Sequence, residues 1–283
     1  MQAAGWQAGA LATALFVTGA SPLTAQTVVA TVPGPGHELR SRSESLEAQG
    51  DLLGAAALLE AALGSTPDDA QLHWRIARNL VRHGERNQAL DPDERIALYE
   101  RARDWARTGR ELDASCAECC LYEFVGTASL ASVRGLVRAL GAVREAGRLL
   151  EECLVDPPRW SDASGSEEAS LYYGASVFYR RMPDSEWIAW ATGQRSDATR
   201  AVGLARRAVA IEGDRVRYRL ELGAALLCDG TRRKDAAALE EGRRWLGDAA
   251  AGSGADAGRA RELVGDAPDR ACDLSHEEPE EPR

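Results

Sequence analysis

Small and apolar residues recur along this chain in four segments, each time at successive steps of four, three and five positions. Steps of three and four place side chains on one face of an α-helix, and small side chains there let a second helix approach closely. The pattern therefore predicts stacked helical hairpins. The four copies are Ala55, Leu59, Ala62 and Pro67; Ala102, Ala106, Gly109 and Ala114; Ala146, Leu150, Cys153 and Pro158; and Ala201, Ala205, Ala208 and Gly213.

The copies are unevenly spaced, because their first residues stand 47, 44 and 55 positions apart. All three intervals exceed the roughly 34 residues of a common helical-hairpin repeat, so each must contain an insertion. We place the insertions at 86–93, 132–139 and 182–197. A weaker fifth hairpin is predicted from Tyr218 to Trp245 around a turn at 230–234. No long stretch alternates with period two, which disfavours a β-rich fold. The predicted fold class is all-α, a superhelical solenoid of four to five antiparallel helical hairpins.

The two ends of the chain differ in composition from its middle. Residues 1–25 carry no charged side chain, include an apolar run from Ala8 to Val17, and end on Leu-Thr-Ala. This arrangement predicts an export signal cleaved after Ala25, although no basic residue precedes the apolar run. A retained membrane anchor or a disordered leader is the alternative. The predicted organisation is a signal peptide at 1–25, a linker at 26–37, the helical domain at 38–251 and a flexible acidic tail at 252–283.

Composition excludes several classes of protein. With 283 residues, of which 45% are hydrophobic, the chain has enough apolar side chains to form a sizeable core. Its formal net charge is −10, and no basic stripe stands out, so nucleic acid is not an expected partner. The four histidines form no HExxH motif, and neither a G-x-S-x-G motif nor a phosphate-binding loop is present. We expect no catalytic residues and no cofactor.

The six cysteines bear on the compartment of the protein more than on any catalytic or metal-binding chemistry. Cys116, Cys119 and Cys120 stand together, and an exported chain with an even cysteine count favours disulfides. The most economical bridge joins Cys119 or Cys120 to Cys153, while a buried free thiol at Cys153 remains an alternative. A metal site is not expected, because the CxxCC segment lacks a second ligand pair at a suitable spacing.

Two groups of side chains are candidates for partner binding. Gln71, Trp74, Arg78 and Arg82 share one helix face and could clamp a carboxylate or an acidic peptide. The alternative is that Trp74 lies in the core while Arg78 and Arg82 pair with Glu85 or Glu94.

The second group lies in an aromatic segment at 172–190, where Arg180, Arg181, Trp187 and Trp190 could form a recognition surface. In the alternative interpretation the tyrosines of this segment fill the core and the two tryptophans anchor an inserted loop.

Residues 44–245 resemble the tetratricopeptide-like family of regulators of microtubule dynamics and its bacterial relatives. The resemblance is carried by His73 to Arg78, by the helix from Tyr99 to Trp105, and by the segment LYYGASVFYRRMPDSEWIAWATG that starts at Leu171. The chain is also similar, more weakly, to the exported helical-repeat component of tripartite periplasmic transporters. Both resemblances imply a helical repeat fold for protein or ligand contact, with no catalytic residues to transfer. The export-type N-terminus and the cysteines argue against a microtubule role.

The predicted function is that of a non-catalytic, exported scaffold that binds a protein or peptide in its concave groove. A periplasmic component that binds a small ligand or serves a transporter is the alternative. We expect no stable membrane insertion once the signal is cleaved. The sequence does not predict the oligomeric state.

Overall fold

The computed structural model describes residues 35–87, 89–135, 138–155, 160–161 and 165–274. Within these ranges the chain forms twelve α-helices and one 3₁₀ helix, η1, and no β-strand. The helices are α1 Pro35–Gln49, α2 Leu52–Leu63, α3 Ala70–Arg86, α4 Pro92–Leu112, α5 Ala117–Arg134, α6 Leu140–Val155, α7 Ser166–Arg181, α8 Glu186–Thr192, α9 Ala198–Ile211, α10 Val216–Arg233, α11 Ala236–Ala250, α12 Ala255–Gly265 and η1 Pro268–Asp273.

Neighbouring helices pair into five hairpins, and successive hairpins stack. The pairs are α1 with α2, α3 with α4, α5 with α6, α7 with α9, and α10 with α11. The second helix of one hairpin packs on the first helix of the next at α2–α3, α4–α5 and α9–α10. The short helix α8 lies in the connection between α7 and α9 and packs against α6. The predicted all-α solenoid is therefore confirmed.

The predicted stripe of small residues lies on the second helix of each of the first four hairpins. Ala55, Ala102, Ala146 and Ala201 are each 0% exposed, and the next two stripe positions of every copy are buried as well. Each of these helices thus turns its small residues toward its partner helix and the adjoining hairpin. The stripe is the part of the sequence that fixes how closely the helices pack.

Glycine permits the closest helix crossings. A Cβ atom added to Gly109 on α4 would lie 2.8 Å from Cys119 Sγ and 2.9 Å from His73 Cβ. Such distances are shorter than van der Waals contact, so α3, α4 and α5 meet here at a separation that no larger residue permits. In the fifth hairpin, Gly223 and Gly242 create the same kind of crossing between α10 and α11.

Aspartate side chains begin five of the helices. An N-cap carboxylate accepts backbone N–H groups of the first turn, and each such cap contributes about 1 kcal/mol. At α4 the cap is reinforced, since Asp91 forms a capping box with Glu94 and Pro92 occupies the first turn. The five N-caps are Asp51, Asp69, Asp91, Asp197 and Asp235.

The C-terminal boundary differs from the predicted one. Residues 252–283 are expected to be a flexible tail, but α12 and η1 lie within this range and pack on α10 and α11. The disulfide Cys228–Cys272 ties η1 to α10. The helices here are short and α12 is rich in glycine, which is why the sequence pattern does not reveal them. The predicted signal peptide, most of the linker, the stripe position Pro158 and the end of the tail from residue 275 lie outside the described residues.

None of the described helices has the length and apolar composition that crossing a membrane requires.

The tight crossing at Gly109 yields a stability prediction. Gly109→Ala should lower the free energy of unfolding by roughly 1–3 kcal/mol, because the added methyl group has no space beside Cys119 and His73. Gly203→Ala is the matched control, since nothing lies within 4 Å of a Cβ there, and it should stabilise α9 by about 0.5–1 kcal/mol. Urea unfolding measures both changes. Equal stability of the two variants would contradict the packing described.

Candidate functional site: the groove lined by the first helices

A groove of about 910 Å³ runs along the stacked hairpins. Its walls come chiefly from α3, α5, α7 and α10, which are first helices of four successive hairpins, with additions from α4, α6 and α12. The second helices hold the stack together through their stripes, so the first helices are left to form this surface. We call this cavity the groove.

The floor of the groove is apolar and aromatic. Phe124 of α5 meets Phe178 of α7 edge to face, with ring centroids 6.0 Å apart. Tyr173 of α7 and Tyr218 of α10 lie 5.4 Å apart, and the hydroxyl of Tyr218 is 3.1 Å from Ser170 Oγ. Burial raises the pKa of both tyrosines, so they stay neutral at physiological pH. The floor therefore offers apolar contact with a few neutral hydrogen-bonding groups.

The rim of the groove is cationic, in contrast to the chain as a whole. Its lining holds six arginines and two carboxylates, whereas the full sequence has a formal charge of −10. These groups are Arg82, Arg86, Arg95, Arg181, Arg215 and Arg217, with Glu85 and Asp256.

Arg217 connects α10 to α12 beside the groove. Its Nε lies 3.1 Å from Asp256 Oδ2, which joins α10 to α12. Burial alone would lower the pKa of Arg217, but nearby groups, Tyr173 first and then Asp256 and Glu85, outweigh it and raise that pKa. Glu85 of α3 lines the same cavity, although 132 positions separate it from Arg217 in sequence.

Three groove arginines have no hydrogen-bond or ion-pair partner among the residues that the structure describes: Arg86, Arg95 and Arg181. Arg86 ends α3 and Arg181 ends α7, and Arg95 lies in the first turns of α4 next to the end of α3. Unpaired positive charge thus lies at the ends of α3 and α7 and near the start of α4.

Most of the predicted site on α3 proves to be structural. Trp74 is 3% exposed, stacks on Tyr122 at 6.1 Å and donates its indole N–H to Gln71 at 2.8 Å. Arg78 donates to Glu47 of α1 at 2.6 Å and to Glu167 of α7 at 3.4 Å.

The network around Glu167 satisfies these groups internally. The Tyr122 hydroxyl donates to Glu167 at 2.6 Å, and burial, followed by the Glu167 charge, raises the pKa of Tyr122. The core alternative for Trp74 thus describes the structure, while Arg78 pairs with Glu47 and Glu167 instead of the expected Glu85 or Glu94. Of the four predicted residues only Arg82 lines the groove, and its guanidinium lies 3.6 Å from Glu167.

Arg180 requires a correction. It is 0% exposed, with its guanidinium paired to Glu221 at 2.8 Å and donating to the carbonyls of Ala271, Cys272 and Leu274. A partner cannot reach it. One residue on a helix turns the side chain by about 100°, so Arg181 lines the groove while Arg180 faces α10 and η1.

The two tryptophans of α8 are exposed. Trp187 is 51% exposed and Trp190 is 87% exposed, whereas Ile188 and Ala189 between them are buried. Thr192 donates to the Ile188 carbonyl at 2.7 Å and closes the short helix. The loop is therefore anchored by its aliphatic side chains and not by its tryptophans.

All six cysteines form disulfides: Cys116–Cys119, Cys120–Cys153 and Cys228–Cys272. The predicted bridge from Cys153 thus reaches Cys120, and Cys119 pairs with Cys116 instead. Within the described ranges, no group of three or more potential ligands is arranged to hold a metal ion.

Comparison with known proteins gives the fold. No protein-family model and no curated protein matches the chain. Among solved structures, the thermophilic TPR protein TTC0263 of Thermus thermophilus matches with a TM-score of 0.51 and 18% identity, over 76% of this chain and 89% of that one. This chain has a tetratricopeptide-like fold. The MamA protein matches with a TM-score of 0.40 and 13% identity, over 75% of this chain and 92% of that one. The fold assignment depends on the first comparison, since a TM-score below 0.5 does not establish a shared fold.

The exposure of α8 yields a second prediction. Trp187→Ala and Trp190→Ala should leave the free energy of unfolding nearly unchanged, because neither side chain is in the core. Trp74→Ala is the contrasting variant and should lower the free energy of unfolding by about 3–5 kcal/mol, since truncating this buried side chain leaves a cavity. Thermal unfolding monitored by circular dichroism measures all three. If both α8 variants lose as much stability as Trp74→Ala, the α8 segment is structural.

Proposed function

We propose that this protein is a non-catalytic, exported scaffold that binds a protein partner in the groove. The observation that carries the proposal is the groove itself, in which an apolar floor lies beside arginines that no other group of the described chain engages. Partner surfaces commonly combine an apolar centre with such a polar rim, and arginine and aromatic residues dominate binding hot spots. Trp187 and Trp190 offer a second contact surface on α8.

Export is part of the proposal and has two supports. The uncharged apolar leader ends at a small-residue cleavage motif. Three disulfides suit an oxidising compartment, because cytosolic thiols are kept reduced.

A small-ligand carrier is the second candidate, and the volume of the groove favours it. Ligand pockets commonly measure about 300–1,000 Å³, which includes the 910 Å³ of the groove. The distribution of arginines over three hairpins, the second, fourth and fifth, favours an extended partner instead, because a small ligand would reach only a few of them. We therefore place protein binding first.

Site-specific photo-cross-linking tests groove binding. A photoreactive amino acid at Ser129, which lines the groove, should trap a partner when the protein is irradiated in its native cells. The same amino acid at Arg243, an exposed position of α11 outside the groove, is the control. Cross-linked protein from Ser129 alone supports the proposal. Equal yields at both positions, or none at either, would contradict it, and a small molecule retained in native mass spectrometry would favour the carrier.

Export has its own test. The mature protein should begin at Gln26, and thiol titration of denatured protein isolated without reductant should find no free cysteine. Replacing Cys120 and Cys153 with serine should lower the free energy of unfolding by roughly 2–4 kcal/mol, because the unfolded chain gains conformational freedom when the bridge is absent. An intact Met1 together with six titratable thiols would refute export.

A further inference from the structure

We propose that the disulfide Cys116–Cys119 is redox-active: it accepts two electrons from a dithiol and opens in the folded protein while the other two bridges stay closed. This activity is separate from binding in the groove and goes beyond the proposed scaffold function. Three observations carry it, namely what the bridge connects, where its sulfurs lie on α5 and how the two sulfurs differ in access.

The bridge Cys116–Cys119 ties no two elements of the fold together. Cys116 is the N-cap of α5 and Cys119 lies in the first turn, so the helix itself already places the two residues side by side. The other two bridges join α5 to α6 and α10 to η1. Their sequence separations are 33 and 44 against 3 here, and the shortest loop restricts the unfolded chain least. Stabilising the fold is therefore a weak reason for this bridge.

The start of α5 favours the reduced form of the pair. The Sγ atom of Cys116 accepts the backbone N–H of Cys119 at 3.1 Å, where an N-cap oxygen is usual. A disulfide sulfur is a weak acceptor, whereas a thiolate carries a full negative charge, here at the positive end of an 18-residue helix. This interaction therefore strengthens when the bridge opens. A disulfide whose reduced form is stabilised in this way is the stronger oxidant.

The carboxylate of Glu118, which lies between the two cysteines in sequence, is engaged elsewhere. Glu118 is 0% exposed and accepts the backbone N–H and the hydroxyl of Ser161 at 2.6 and 2.5 Å. It does not take the N–H of Cys119, which is directed at the sulfur of Cys116. The hydrogen bond that stabilises a thiolate is thus already in place.

The two sulfurs differ in access. Cys119 is 0% exposed, and its Sγ lies 3.7 Å from the carbonyl oxygen of Ala70, beside Gly109, inside the crossing of α3, α4 and α5. Cys116 is 2% exposed and directly follows the segment 111–115, in which every residue is exposed. An incoming thiol therefore approaches Cys116 from this segment, and Cys119 is the sulfur that leaves.

The exchange proceeds in two steps. A thiolate of the dithiol attacks Cys116 Sγ, forms a mixed disulfide and releases Cys119, which takes up a proton. The second sulfur of the dithiol, once deprotonated, attacks the first and expels Cys116 as a thiolate that accepts the N–H of Cys119. The bridge gains two electrons, and the dithiol leaves as a disulfide.

Dithiothreitol is the probe, since it is a small dithiol. The folded wild-type protein is equilibrated at graded ratios of reduced to oxidised dithiothreitol, free thiols are alkylated, and the alkylated peptides are identified by mass spectrometry. Cys116 and Cys119 should become alkylated at a ratio about tenfold or more below the one that opens either other bridge, because only their reduced form is stabilised by a helix N-terminus. The helical circular dichroism should stay unchanged. Opening of all three bridges at one ratio, or opening of Cys116–Cys119 only as circular dichroism is lost, would overturn the proposal.

Two single variants test which sulfur is attacked. In Cys119→Ser the free Cys116 should form a mixed disulfide with oxidised glutathione about tenfold or more faster than Cys119 does in Cys116→Ser, because Cys119 is enclosed and Cys116 is not. Equal rates would overturn the order of attack. The control is the double variant Cys120→Ser, Cys153→Ser, which keeps the reactive bridge and should open it within about twofold of the wild-type ratio. Loss of that opening in folded control protein would refute the assignment. The wild-type titration needs no variant, so it decides the proposal even if a variant does not fold.

Discussion

Close approach of the two helices within each hairpin is the constraint on which the rest of this structure depends. Alanine, glycine and cysteine at steps of four and three let the helix backbones approach closely, and larger stripe residues such as Leu59 and Leu150 are buried in the same core cluster. Because the second helices are committed to this packing, the first helices are left to line the groove. The same stripe thus determines both the stability of the stack and the position of its binding surface.

Buried charge fixes the walls of the groove against one another. Glu167 at the start of α7 collects Tyr122, Arg78 and Arg82 from α5 and α3, and Arg180 at its end is enclosed by Glu221 and the carbonyls of η1. Removing one partner of a buried ion pair is costly, since it leaves an uncompensated charge. α7 is therefore held at both ends, which keeps Phe178 and Arg181 in register with α3 and α5.

Sequence reasoning could predict the part of this structure that depends on local period. The stripes, the hairpins and the insertion that carries α8 follow from spacing along one helix, and all are found. The groove does not follow in this way, because Glu85, Arg217 and Asp256 come to line one cavity only once the hairpins have stacked. Arg180 and Arg181 are adjacent in sequence, but Arg180 is buried against α10 while Arg181 lines the groove. Only the position of α10 in the folded structure distinguishes them. The sequence pattern does not predict the short helix α12, because glycines interrupt its apolar pattern.

The central claim is that α3 and α10 line one groove, so that Glu85 and Arg217 lie close enough to interact electrostatically. A double-mutant cycle on Glu85 and Arg217 measures this most directly, using Glu85→Gln, Arg217→Gln and the double variant in urea unfolding. The account predicts a favourable coupling of roughly 0.2–1 kcal/mol that declines as salt is added, as expected for opposite charges in a partly exposed groove. Strictly additive effects at low salt would contradict it, because the two charges would then not interact across the groove.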